Sequence, residues 1–345
     1  MKEPAKKATI NDVARIAEVS KKTVSRIINQ SPGVSTKTRD HVLAVIKELN
    51  YSPDPQARGL ASKKSYILGL VYDNPNASFV SDIQHGVLSR CREQGYELVV
   101  HPCDMQSQEI INDVKQFVER LKLDGVILLP PLSESSELVT MLKKSNSQYV
   151  RILSVSIDQP EHMIVSSDRQ AVKEIAEHLS ELGHNDIACI LGPHGHKSTE
   201  ERFEGFKDGL AETGIKLNDD LTIQGGYTFE SGLQCAKQLL SQPVKPTAIF
   251  ACNDAMAMGV IVAASQLGIK IPEQLSVVGF DDEPHASRIW PALTTVNKQA
   301  TKMGQLAAEK LVMLCSKNIE QASSIQSLVV PKLVIRQSTA PHQKA

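Results

Sequence analysis

No cysteine pair in this 345-residue chain has the C-x-x-C spacing of a metal knuckle or a redox couple. The six cysteines, Cys91, Cys103, Cys189, Cys235, Cys252 and Cys315, are scattered, and several lie in apolar runs such as Ala188-Cys189-Ile190. That excludes a disulfide framework and a cysteine-based metal site, and predicts small buried thiols in a reducing compartment. No apolar run reaches the ~18 residues of a membrane span. The opening Met1-Lys-Glu-Pro-Ala-Lys-Lys7 leads into no apolar signal segment, so the expectation is a cytoplasmic protein with no membrane partner. Catalytic signatures are also missing. There is no Gly-x-Ser-x-Gly elbow, and Gly192-Pro-His-Gly195 lacks the Gly-Lys-Ser/Thr of a phosphate loop. His194-Gly-His196 has no acidic or cysteine neighbour in sequence with which to hold a metal. The expectation is therefore no enzyme activity, no cofactor and no metal.

What is present is an uneven charge. The net charge of −1 hides residues 1–64 with 13 Lys/Arg against 6 Asp/Glu, a net +7, and a remainder with 25 against 33, a net −8. A basic head on an acidic body points to a polyanion as partner of the head alone. The head reads as short amphipathic helices. Thr9 with Asp12 resembles a capping box, and Ile10, Val13, Ala14 and Ala17 follow at helical spacing. Ser20 is placed to cap a second helix with Val24, Ile27 and Ile28 inward and Lys21, Lys22, Ser25, Arg26 and Asn29 outward. Ser35 starts a third, with Val42, Val45, Ile46 and Leu49 on one face.

In a helix-turn-helix the second helix enters the major groove and its first turns reach base edges. Lys21 and Lys22 suit guanine or phosphate, and the planar fork of Arg26 suits bidentate contact to guanine. Thr9, Ser20, Asn29, Ser35 and Thr38 are short polar groups at helix ends, suited to phosphate contacts as well as to capping. Asn50-Tyr-Ser-Pro-Asp-Pro55 reads as a linker. The next residues, to Ser62, make a helix too short to stand alone.

From Ser65 the pattern alternates. Strands are predicted at 67–72, 97–101, 125–129, 150–155, 187–191, 248–251, 275–279 and 328–335, with helices such as 107–121, 170–182, 201–212 and 255–267 between them. This predicts an α/β body of two parallel-sheet subdomains with helices on both faces. Ligands of such sheets sit at the carboxyl ends of strands. Asp158, Asn253 and Asp281 follow strands, Arg202 opens the helix after 187–191, Tyr227 lies in Gly225–Ser231, and Phe79 starts the first body helix. Carboxylate, amide and guanidinium groups under an aromatic face suit a polyol. Asp254 reads as the cap of the helix carrying Met256 and Met258, and Asp282 as structural. Arg151 stands in an apolar stretch, where it pairs with a buried carboxylate or meets an anionic ligand.

The motifs resemble those of the lactose-repressor family. They include Thr9-x-x-Asp-Val-Ala14, Val19-Ser-x-x-Thr-Val-Ser-Arg26, Val34-Ser-x-x-Thr-Arg39, Leu49-Asn-Tyr-x-Pro53 and Ala57-Arg-x-Leu60. In the body they are Arg202-Phe-Glu-Gly-Phe206, Asn253-Asp-Ala-Met-Ala257, Gly279-Phe-Asp-Asp282 and Pro291-Ala-Leu-Thr-Thr295. The resemblance implies a small all-α helix-turn-helix domain at 1–50, a hinge helix or linker at 51–64 and a ligand-binding and dimerisation body at 65–340 with a periplasmic-binding-protein-like fold. Its subdomains are expected at about 65–165 with 295–325, and about 166–294 with 326–340. It implies a homodimer on near-palindromic double-stranded operator DNA, contacted by Thr9, Ser20, Lys21, Lys22, Thr23, Ser25, Arg26, Asn29, Ser35, Thr38, Tyr51 and Arg58, with Leu60 as an apolar wedge in the minor groove. It also implies a small effector, by default a carbohydrate, at Phe79, Asp158, His196, Arg202, Tyr227, Asn253 and Asp281. His196 occupies the position of an arginine in the purine-responsive branch, which disfavours a nucleobase. A purine-responsive or phosphoprotein-corepressed regulator is the alternative. No heptad extension follows Arg336, so a dimer rather than a tetramer is expected.

Overall fold

The computed structural model describes residues 8–28, 33–49, 51 and 64–342. They fall into two compact units that divide after Tyr66. In the first unit, α1 (Ile10–Ile16), α2 (Lys21–Ile28) and α3 (Thr36–Glu48) close around Val13, Val24 and Val42, all fully buried, with Ala14, Ala17, Ile27 and Val45 beside them. At ~1.5–3 kcal/mol for each large aliphatic side chain removed from water, this core is small, so helix ends matter. The Asp12 carboxylate accepts from the Thr9 N–H at 2.9 Å and from its hydroxyl at 2.7 Å. Ser20 Oγ accepts from the Thr23 N–H at 3.1 Å, and Ser35 Oγ from the Thr38 N–H at 3.2 Å. The three N–H contacts each satisfy a backbone donor that the helix itself leaves open.

The second unit holds two parallel sheets. The first has six strands in the order β11-β5-β4-β3-β1-β2, and the second has four in the order β7-β6-β8-β9. The first comprises β1 (Ile67–Tyr72), β2 (Glu97–Pro102), β3 (Gly125–Leu128), β4 (Gln148–Leu153), β5 (Met163–Ser166) and β11 (Leu328–Val329). The second comprises β6 (Ile187–Leu191), β7 (Thr222–Gln224), β8 (Ala248–Ala251) and β9 (Ser276–Val278). An antiparallel pair, β10 (Thr295–Asn297) with β12 (Lys332–Val334), lies outside both sheets. Helices α4 (Ala77–Gln94) and α11 (Ala300–Cys315) pack together on the first sheet's side. A Cβ on Gly86 would run into the Thr301 carbonyl, and one on Gly304 into that of Ile83, so the two backbones touch only because both residues are glycine. On the second sheet α7 (Asp168–Glu181) pairs with α8 (Lys197–Glu212), and α9 (Phe229–Leu240) with α10 (Asp254–Gln266).

The alternation gave the right layers, with three adjustments. The single strand expected at 328–335 is two short ones separated by Val330 and Pro331, because proline has no N–H to give a ladder. Leu328 pairs with Val165 of β5, so residues 326–329 belong with the first lobe and not the second. Strands β5, β7 and β10 went unpredicted, at three or four residues each. The chain passes between lobes three times, near residues 167, 298 and 331.

Candidate functional site

In the head, Lys21, Lys22 and Arg26 are exposed on α2, while Thr23 and Ser25 are half-buried beside Val24 and Ile27. Thr9, Ser20 and Ser35 stand exposed at the starts of the three helices, and Thr38 is half-buried one turn into α3. Helix starts with open N–H groups favour phosphate, and a cationic second helix favours a groove of negative potential. Tyr51 packs against the head core and donates its N–H to the Ile46 carbonyl at 3.0 Å. Asn29, Arg58 and Leu60, with nearly all of the expected hinge, lie outside the described residues.

In the body, the carboxyl ends of the strands from both lobes enclose a cavity of about 40 Å³. It is lined by Phe79, His196, Arg202, Tyr227, Asn253 and Asp281, six of the seven expected ligand residues, together with Asn74, Asn76, Ser198 and Lys298. A larger concavity of about 660 Å³ lies between α5 (Ile110–Leu121) and α6 (Ser136–Lys144) and involves none of these strand-end groups.

Arg202 sits in the second turn of α8 and does not open that helix, which begins at Lys197. Its Nε donates to Asp168 at 2.9 Å, Nη1 to the Cys252 carbonyl and Nη2 to Asp281 at 3.4 Å, and its plane lies 3.8 Å from the Phe280 ring. Burial works against its charge, but Asp168, Tyr227 and Asp281 more than offset that and raise its pKa. Asp281 accepts from Asn76 Nδ2 at 2.8 Å, a contact that spans the two lobes. Burial pushes its carboxyl pKa up, with Arg202 and Lys298 opposing. Both Asp281 (φ 112°) and Tyr227 (φ 62°) have left-handed backbone. Such strain costs of order 1–3 kcal/mol per residue and persists where the surroundings enforce it. For Asp281 the enforcing contacts include its N–H on the Val296 carbonyl at 2.9 Å.

Asn253, and not Asp254, caps α10. Its Oδ1 accepts from the Met256 N–H at 3.0 Å and its Nδ2 donates to the Tyr227 carbonyl at 2.9 Å. Asp254 is fully buried instead, taking the Thr295 hydroxyl at 2.5 Å and the Glu283 N–H at 2.8 Å, and burial raises its pKa well above the ordinary range. Asp282 is structural, held by Arg336 at 2.6 Å and Asn297 at 2.9 Å. Tyr227 shares its hydroxyl with Ser198 at 3.3 Å and Thr199 at 3.0 Å. The His196 ring stands edge-on to Tyr227, with centroids 6.1 Å apart, and burial lowers its pKa against the pull of Asp73.

Asp158 does not reach the cavity. Its carboxylate accepts from Tyr149 Oη at 3.0 Å, Arg151 Nη1 at 3.1 Å and the Gln159 N–H at 2.9 Å. That also settles Arg151, which pairs with this buried carboxylate and gives its Nε to the Ser133 carbonyl at 2.6 Å. A strand-end position was a poor guide here, because an arginine inside β4, the strand that Asp158 follows, claims the carboxylate first.

Four polar lining residues, Asn74, Asn76, Ser198 and Lys298, escaped the sequence reading. Asn74 donates to the Pro130 carbonyl at 2.9 Å, Asn76 caps α4 through the Phe79 N–H at 2.9 Å, and Lys298 sits at a crossing between lobes. The signals were the Asn-Pro-Asn that follows β1 and a lysine just past Pro-x-Leu-Thr-Thr. Elsewhere, His101 Nε2 lies 2.9 Å from Asp113 Oδ2, and Cys103 Sγ is 4.0 Å from the same oxygen. Burial, with Asp113 and Asp73, pushes the Cys103 thiol up to about 12, so it stands protonated beside an already satisfied His–Asp pair.

Residues 9–54 match the family described as bacterial regulatory proteins, lacI family, and residues 176–339 match the periplasmic binding protein-like domain. The chain is 33% identical over 323 residues to the probable HTH-type transcriptional repressor ExuR of Bacillus subtilis (strain 168), covering 92% of this chain and 94% of that one. It is 32% identical over 305 residues to the ribose operon repressor of Escherichia coli (strain K12), covering 88% and 92%. Among solved structures, the lac repressor dimer bound to operator and the anti-inducer ONPF aligns with a TM-score of 0.74 at 30% identity, over 97% of this chain and 100% of that one. The regulator CelR in complex with cellobiose aligns with a TM-score of 0.72 at 28% identity, over 96% and 99%. With a three-helix cationic head, a two-lobed α/β body and relatives of this similarity along nearly its whole length, the chain belongs to the lacI family of bacterial regulatory proteins and is a DNA-binding transcription regulator.

Proposed function

We propose that the chain is a cytoplasmic repressor that acts by binding alone. In this reading a homodimer holds a near-palindromic operator through Lys21, Lys22 and Arg26, and a small carbohydrate in the body sets the strength of that grip. The observation that carries the effector reading is the cavity wall. Asp281 and Asn253 offer acceptors, Arg202 offers donors in a fork, and Phe79 and Tyr227 offer aromatic faces for sugar C–H groups. Relatives support the class, since CelR was solved with cellobiose and the lac repressor with ONPG. A purine is the second reading, favoured by 32% identity to the repressor PurR of Pasteurella multocida. Against it stands His196, a half-buried imidazole whose pKa is lowered, where a cation would be needed.

Control of the head requires only that the effector bind one state of the body more tightly than another, typically by ~1–3 kcal/mol. The test is a thermal-shift screen of the full chain against sugars and purine bases, followed by operator retardation with each binder. A sugar that raises Tm and changes operator affinity supports the reading. Stabilisation by a purine base alone overturns it.

A further inference from the structure

One cation on the cavity wall is not used by the contacts above. Lys298 lies just past β10 and is 7% exposed. Its Nζ stands 4.8 Å over the Phe79 ring, and its ion-pair partner, Asp168 Oδ2, is 3.7 Å away. An N–H···O hydrogen bond is normally 2.7–3.2 Å, so this pair is electrostatic, not a bond that satisfies a donor. The nearby carboxylates are served by closer groups. Asp168 takes the Ser166 hydroxyl and Arg202 Nε, and Asp281 takes Asn76 and Arg202. Among the described residues, then, Lys298 makes no hydrogen bond of ordinary length, although its ammonium carries three donors.

The charge on the wall points the same way. Arg202, Lys298 and Asp281 line the cavity, whereas Asp168 is fully buried behind it. Both cations face the cavity, whereas of their two carboxylate partners only Asp281 does. Burial pulls the Lys298 pKa down, with Asp168 opposing, so desolvation of the ammonium is only partly repaid. Asp168 and Asp281 already balance the two charges, so what the ammonium lacks is a bonded acceptor. A hydroxyl would fill one of its donors, but an anionic oxygen does so through a charge-assisted bond roughly twice as strong as a neutral one.

We propose that Lys298 makes this a site for an anionic monosaccharide derivative, whose carboxylate or phosphate oxygen sits on Nζ while Asp281 and Arg202 take the hydroxyls. This rests on the reading of the cavity as the effector site. Lys298 is then the residue that selects among sugars by charge, with its Nζ standing over the Phe79 ring.

The test is calorimetric titration of the full chain with glucuronate, galacturonate, glucose 6-phosphate, glucose and galactose. At least one anionic sugar is expected to bind about tenfold or more tightly than its neutral counterpart. The uronate and phosphate arms identify which oxygens are taken. Lys298→Met should abolish that preference. Because the wild-type comparison needs no variant, a variant that fails to fold does not blunt the test. Neutral sugars binding as tightly as the anionic ones overturns the proposal, as does a preference that survives in Lys298→Met. Binding of none of the five, by a chain that still retards operator DNA, overturns the sugar reading itself and this proposal with it.

Discussion

Replacing Asp158 by Asn should cost the body about 3–5 kcal/mol and leave sugar affinity unchanged. The Asp158 and Arg151 side chains are 6% and 5% exposed and 3.1 Å apart. The amide keeps the shape of the carboxylate but not its charge. Arg151, still anchored to the Ser133 carbonyl, would remain a buried cation without its counter-charge, and stranding one member of such a pair is what carries the 3–5 kcal/mol. At roughly 2–4 °C per kcal/mol, Tm should fall by about 6–20 °C. Arg151→Met together with Asp158→Leu should be milder than Asp158→Asn alone, since neither member of the pair is then left buried without its counter-charge.

The pH dependence follows from the same contacts. Burial pushes the Asp158 pKa up, but the Gln159 N–H, Arg151, Tyr149 and Lys143 outweigh it, and the carboxyl is held below its usual value. A depressed folded-state pKa gives stability that is present above the unfolded value, ~3.9, and is lost as pH falls through the folded one. The Tm gap between wild type and Asp158→Asn should therefore be widest near neutrality and close below about pH 4. Thermal unfolding followed by circular dichroism, with sugar titration of both proteins, reads all of this. A gap of under about 2 °C, or one that does not narrow in acid, would refute the ion-pair argument. A loss of sugar affinity with Tm intact would return Asp158 to the ligand site.

Other consequences are more local. Arg26→Ala should weaken operator binding by about 5- to 150-fold in a retardation assay, the ~1–3 kcal/mol of one bidentate base contact, and unchanged affinity would remove Arg26 from the base-reading set. A fragment beginning at residue 61 should bind sugar and fail to retard operator DNA, and sustained retardation by it would place the DNA site elsewhere. Gly86→Ala should destabilise the body by about 1–3 kcal/mol, because its Cβ meets the backbone of α11 and not a movable side chain. A neutral result there would show that the two helices part easily.

How much of this was legible in the sequence depended on whether a residue's partner was local. The three head helices could be read from spacing and caps, because Thr9 with Asp12, Ser20 with Thr23 and Ser35 with Thr38 are each three residues apart. Long strands such as β1 and β6 were plain as buried apolar runs, whereas β7 and β10, three residues each, are too short to show a period. Asp281 and Arg202 were found because motif and strand end agreed. Asp158 was placed at the ligand site by its strand-end position alone, whereas its partner Arg151 lies seven residues earlier, inside β4, and no spacing rule pairs a strand residue with the loop that follows. The cap of α10 was placed one residue late, since Asn and Asp are equally good caps and only burial separates Asn253 from Asp254. Lys298 was missed because a lysine in a polar turn reads as solvated until the fold puts it under Phe79.

These assignments bear on how an effector acts. Apart from the Lys298 ammonium, much of the cavity's polar capacity is already engaged internally, with Asn76 on Asp281 across the lobes and Arg202 on Asp168, Cys252 and Asp281. A second contact across the lobes runs from the Lys197 N–H to Glu134 Oε2 at 3.2 Å. A sugar that takes hydroxyl contacts from Asp281 has to compete with Asn76, a residue that also caps α4 in the first lobe. On the proposed reading, the ligand would exchange a direct bond between lobes for a bridge through itself. The interaction energy thus differs between lobe arrangements by construction, which is the condition for any ligand to shift their balance. On that reading Asp281 is the residue where the exchange would be made, at the carboxyl end of a strand, in left-handed backbone, with its N–H on the carbonyl of Val296 two residues before the Lys298 crossing.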